Sequence, residues 1–126
     1  MKSRGEIEAA ICKGINRFEQ DYMGRGPQHI HTYLVDDVVV VRLQGVLTAA
    51  EQHLAQSTPI EKGCDLLKQV RTQLIETARP VLEGIVVDAT GVGVVSLHHD
   101  ICVATGEEVL VFTLTEFPSM REVRKK

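Results

Sequence analysis

At the head of three helix-like stretches a Ser or Thr stands three residues ahead of a glutamate, at Ser3–Glu6, Thr48–Glu51 and Thr58–Glu61. A box of this kind satisfies the orphan amides of a helix start from both sides, so it fixes where helices begin and with that the order of elements. Behind the first box Ile7, Ile11, Ile15, Phe18 and Tyr22 recur at steps of four, four, three and four, an amphipathic helix that Gly24-Arg25-Gly26-Pro27 should stop. The second box opens a short helix through Ala49, Ala50 and Leu54. The third, with Pro59 at the first helical position, opens a long one. Leu67, Val70, Leu74, Ala78, Val81, Leu82 and Ile85 hold one stripe that stays in phase across Pro80, which predicts a single helix bent there. Lys68, Arg71, Glu76, Arg79 and Glu83, with mixed signs, read as its solvated side.

Between the helical segments lie two pairs of β-rich runs. Ile30–Val35 and Val38–Leu43 are separated only by Asp36-Asp37, short acidic residues that bond to nearby backbone amides, and read as a tight hairpin. After Gly91 and Gly93, Val95, Leu97, His99 and Ile101 alternate with Val94, Ser96, His98 and Asp100, and Ala104-Thr105-Gly106-Glu107 turns the chain into Val109–Leu114. The order helix, hairpin, helices, hairpin predicts an α+β fold, a four-stranded, mainly antiparallel sheet with two long helices packed on one face. The halves read as weak repeats of one helix–strand–strand unit. Val38 to Val41 and Val109 to Phe112 are consecutive apolar runs rather than alternations, so both faces of those strands call for cover. A second copy packed across the face left open predicts a homodimer.

The 126 residues suit one domain, residues 1–117, followed by a basic tail, 118–126, in which Arg121, Arg124, Lys125 and Lys126 read as a frayed, solvated end. With 44% hydrophobic and 25% charged residues the chain is globular rather than disordered. A net charge of -3 and dispersed Phe and Tyr residues exclude a nucleic-acid partner. No uncharged run approaches the roughly 18 residues of a bilayer span, so membrane insertion is not expected. The opening residues MKSRGEIEAA lack the apolar block of a secretory signal, which predicts a cytoplasmic protein. Cys12, Cys64 and Cys102 are odd in number and far apart, unlike a disulfide framework or a zinc knuckle.

Four residues form the candidate site. His29 and His31 lie on one side of the first strand, and His98 with Asp100 on one side of the third; pairing of those strands would gather imidazoles and a carboxylate suited to zinc or iron. The plainer reading is that two polar strand sides happen to hold histidine, and no metal, cofactor or catalytic residue is assigned. His99, between Leu97 and Ile101, reads as a hydrogen-bonded core histidine. A nucleophilic pair of Cys102 with His98 or His99 would need an orienting group and an oxyanion donor that the sequence does not mark.

The segments Tyr22–Pro27, Tyr33–Asp37, Leu43–Thr48, Thr90–Val92, Ser96–Ile101, Thr105–Glu108 and Val111–Leu114 together resemble the small bacterial family MpsC, formerly DUF2294. The resemblance runs from about Ser3 to Phe117, and the paired histidines before Asp100 resemble its cyanobacterial branch. It implies a non-catalytic accessory or regulatory protein of a membrane system linked to sodium translocation and inorganic-carbon uptake, with no catalytic residues to carry over. Lacking a spanning helix, such a chain would regulate or dock onto the transport system rather than conduct an ion. The alternative is a metal- or thiol-dependent enzyme using a His/Asp/Cys cluster on the sheet.

Overall fold

The first box closes as its spacing predicts. Ser3 Oγ accepts the Glu6 amide at 3.2 Å and Glu6 Oε1 accepts the Ser3 amide at 3.0 Å, starting helix α1, Arg4–Phe18. A computed structural model describes residues 1–57 and 59–121 of the chain. Ile7, Ile11, Ile15 and Phe18 are the buried stripe of α1. The helix then widens into a π-helical turn, Glu19–Met23, which ends at Gly24 with φ 89. Glu19, four residues beyond Ile15, points inward, whereas Tyr22 is 44% exposed and stacks on Phe18 instead of extending the stripe.

Strands β1 (His29–Val35) and β2 (Val38–Gln44) form the expected hairpin, with Asp36 at φ 55. The Thr48–Glu51 box opens α2, Ala49–Ala55. Thr58 of the third box lies outside the described residues, and Pro59, expected at the first helical position, instead occupies the cap position ahead of α3, Ile60–Thr77. The single bent helix is also corrected. The chain breaks at Ala78 (φ -90, ψ 4) and restarts as α4, Arg79–Thr90, with Pro80 in its first turn. Proline has no amide to give and its ring crowds the carbonyl four residues back, so the helix ends before it and a new one uses proline where no amide is needed. Gly91 (φ 77) leads to β3 (Val94–Cys102) and β4 (Glu107–Leu114).

The four strands make one antiparallel sheet in the order β1-β2-β4-β3, and the helices lie on one face. Helix α1 packs on β1 and α4; α3 and α4 pack on β3. Leu34, Val39, Val41, Leu110, Phe112 and Leu97 face the helices and are buried. Each such side chain contributes roughly 1.5–3 kcal/mol through removal from water. Along α3 the buried residues are Gly63, Leu67, Arg71 and Ile75, while Val70 is 43% exposed and Leu74 only half-buried. Val81 on α4 is likewise exposed, with Leu82, Val86 and Ala89 inside. The inner face thus runs one residue on from the stripe read off hydropathy, because it includes an arginine. At the end of the described chain, Arg121 is not frayed: its amide donates to the Lys2 carbonyl at 2.9 Å and its side chain meets Glu6. The remainder of the basic tail, Arg124, Lys125 and Lys126, lies outside the described residues.

Candidate functional site

Register fixes what the helix-free face of the sheet presents. Its rows across β1, β2, β4 and β3 are Val35-Val38-Thr113-Ser96, then Tyr33-Val40-Val111-His98, then His31-Arg42-Val109-Asp100. Tyr33 is 47% exposed and Val35 60%, with Val38, Val40, Val109 and Val111 half-buried among themselves. One end of the face is therefore apolar and the other charged, with Arg42 Nε 2.6 Å from Glu107 Oε2.

His29, His31, His98 and Asp100 all lie on this face, but β1 and β3 are its two opposite edges. Three strand spacings of about 4.8 Å put His31 and Asp100 about 14 Å apart, so the pairing that would gather them does not occur. No group of three or more potential metal-ligating side chains converges among the described residues. Asp100 instead pairs with Lys68 at 3.1 Å, and that ammonium holds its carboxyl below the usual range. Cys102 and His98 are four residues apart on one strand, about 13 Å, and His99 faces the other way, so neither histidine partners the thiol. A bond to the Thr105 side chain holds that exposed thiol below its ordinary pKa. His99 sits on the helix face, its side chain 8% exposed and Nε2 3.7 Å from Glu76 Oε1.

Beneath the helices lies a cluster that the sequence reading missed. Arg71 of α3 is 1% exposed; its Nη2 is 3.0 Å from Glu108 Oε1 of β4 and 3.5 Å from Glu19 Oε1 of the π-helical turn, and its Nη1 is 3.0 Å from Glu51 Oε2 of α2. Glu19 and Glu108 are equally enclosed, at 1% and 2%. One guanidinium cannot balance three carboxylates in a dry site. Burial, reinforced by the negative charge of Glu108, pushes Glu19 up to about 8 against the pull of Arg71, so it holds a proton at neutral pH. Burial also raises Glu108, outweighing the attraction of Arg71. For Arg71 burial alone would lower the pKa, but Glu108 and Glu51 raise it, and the guanidinium stays charged. Glu19 Oε1 and Arg71 Nε accept or donate no hydrogen bond among the described residues. A signal for the cluster was present: Glu19 follows Ile15, and Arg71 follows Leu67, by four residues, which sets both charges on buried stripes.

Comparison with known proteins decides the family. The family described as "Na+-translocating membrane potential-generating system (MpsC)" matches residues 3–116. The chain belongs to the MpsC family. It is 40% identical over 113 residues to "Uncharacterized protein YbcI" of Bacillus subtilis (strain 168), covering 90% of this chain and 89% of that protein. It is 33% identical over 100 residues to "Uncharacterized protein YrhF" of the same organism, covering 78% and 79%. No solved structure matches it. Among the described residues of this MpsC chain no helix is long and apolar enough to cross a membrane.

Proposed function

We propose that this protein is a small cytoplasmic accessory or regulatory module of a cation-translocating membrane system, acting as a homodimer through the open face of its sheet. One observation carries the reading: in a chain matching MpsC over residues 3–116, the outer face of the sheet carries valine-rich rows beside a charged one, and no described element covers it. Four strands about 4.8 Å apart and seven residues long present about 450 Å² in projection. Two copies bury close to the roughly 1,000 Å² at which specific interfaces begin. The sheet edges are poor alternatives. Glu8 Oε2 of α1 accepts the outward amide of Leu34 at 2.8 Å, and a bulge between Val94 and Ser96 interrupts β3. The face then completes itself under a two-fold axis.

The link to inorganic-carbon uptake and to the cyanobacterial branch rests on the resemblance of the motifs, the second on His98-His99. The alternative, a metal- or thiol-dependent enzyme, loses its proposed cluster to the strand order. The test is genetic. Deletion of the gene in its host, followed by recording of the membrane potential with a potential-sensitive dye, should abolish the sodium-dependent component. The wild-type gene should restore it and Val40→Asp should not; an unchanged sodium-dependent potential in the deletion strain contradicts the proposal.

A further inference from the structure

At the charged end of the molecule, away from the valine rows, a cleft of about 540 Å³ opens between α2, the start of α3 and the β3–β4 turn. That volume falls in the usual range of small-molecule sites, roughly 300–1,000 Å³. Its polar wall carries Arg25, Gln28, Gln52 and Gln56, and its apolar wall includes Leu47 and Ile60; among the described residues no Asp or Glu lines it. Arg25 is the one charged lining residue among those described. It is half-buried and, among the described residues, faces no carboxylate within ion-pair distance; Arg4 is likewise without one but exposed, whereas Arg17, Arg42, Arg71, Arg79 and Arg121 are paired. A partly desolvated guanidinium with no anion of its own, beside three carboxamides, is a recognition site for one.

The walls are also held in place. Gln52 Nε2 donates to the Leu47 carbonyl at 3.2 Å, which orients its carboxamide. The Val46 amide donates to the Gly106 carbonyl at 3.2 Å, tying the end of β2 to the turn, and the Arg25 amide donates to the Glu19 carbonyl at 3.2 Å. The three segments that frame the cleft each send a carboxylate to Arg71 as well: Glu19 before Arg25, Glu51 before Gln52, Glu108 after Gly106. The cleft is thus preorganised by the buried cluster behind it, which reduces the ordering cost of binding.

We infer that this cleft binds a small organic anion, its carboxylate or phosphate group on the Arg25 guanidinium and its body against the carboxamides of Gln28, Gln52 and Gln56. The geometry needs no second copy and no membrane partner, so the site is independent of the function proposed above.

The experiment is a titration of the full, nitrogen-15-labelled chain with inorganic phosphate and, separately, with citrate, followed by amide shifts. Saturable shifts of Gly45, Gly106 and Arg25 with at least one probe are expected, and which probe acts distinguishes phosphate from carboxylate ligands. Arg25→Gln should weaken that binding about tenfold, as loss of a charged hydrogen bond does, and Arg25→Lys by less. Arg17→Gln, at an exposed ion pair, should leave it unchanged. Absence of saturable shifts with both probes overturns the inference, as does equal affinity in a folded Arg25→Gln chain or a set of shifts scattered over surface Lys and Arg residues. Should Arg25→Gln fail to fold, Arg25→Lys carries the comparison, and undiminished affinity there overturns the fork-to-anion contact.

Discussion

Arg71 and two of its carboxylates, Glu19 and Glu108, are ionisable groups shut away from water. Removing the cation leaves Glu108 and Glu19 buried with no positive partner, so Arg71→Met should lower stability by about 3–5 kcal/mol in chemical denaturation. A loss under about 1 kcal/mol would mean that water reaches the cluster. The same site predicts a pH dependence of defined sign. Glu19 titrates near 8 in the folded chain and near 4.5 when unfolded, so between those values the folded state holds a proton that the unfolded state has lost. Its contribution is therefore fully present below about pH 4.5 and fades as pH rises through 8. Denaturation midpoints across that window should fall with pH in the wild type and fall less steeply in Glu19→Gln, with Glu108, also raised, keeping part of the slope. Parallel curves would place the proton elsewhere. These residues were hidden in the sequence because hydropathy scores an arginine or glutamate as solvent-facing wherever it stands. Only their four-residue spacing from Ile15 and Leu67 marks them as inner.

Among the elements, starts were legible and endings less so. Ser3–Glu6 and Thr48–Glu51 mark α1 and α2 because a capping box is a local bond pattern written in adjacent residues. The Asp36-Asp37 turn was equally local. The break at Ala78 was not, since apolar spacing stays in phase whether the axis bends or breaks, and the choice depends on what α4 packs against. The corrected inner face has a direct check. Ile75→Ala should cost roughly 2–5 kcal/mol and the half-buried Leu74→Ala clearly less, by equilibrium denaturation; the reverse order would restore the hydropathy stripe. Glycines give a second test of helix packing. A Cβ on Gly63 would lie 2.2 Å from the Leu54 carbonyl oxygen, so α3 approaches α2 closely there, whereas one on Gly84 meets nothing within 4 Å. Gly63→Ala should destabilise by about 1–3 kcal/mol and Gly84→Ala stabilise by up to about 1 kcal/mol, measured as opposite shifts of the thermal midpoint.

For the whole molecule, the α+β class and the order of strands and helices could be read from patterning, but the spatial order β1-β2-β4-β3 could not. Pairing of β2 with β4 joins residues some seventy positions apart through backbone bonds that leave no trace in side-chain periodicity. That pairing is what sends the histidines of β1 and β3 to opposite edges and places the valine runs side by side at the centre. It also makes the order symmetric under exchange of the two hairpins, in keeping with the weak repeat. A second copy, as proposed, would close this open valine face. Sedimentation equilibrium of the full chain at micromolar concentration tests it most directly. The expected mass is twice the 13.9 kDa of one chain, reverting to a single folded chain in Val40→Asp or Val111→Asp. A wild-type mass equal to one chain would contradict it.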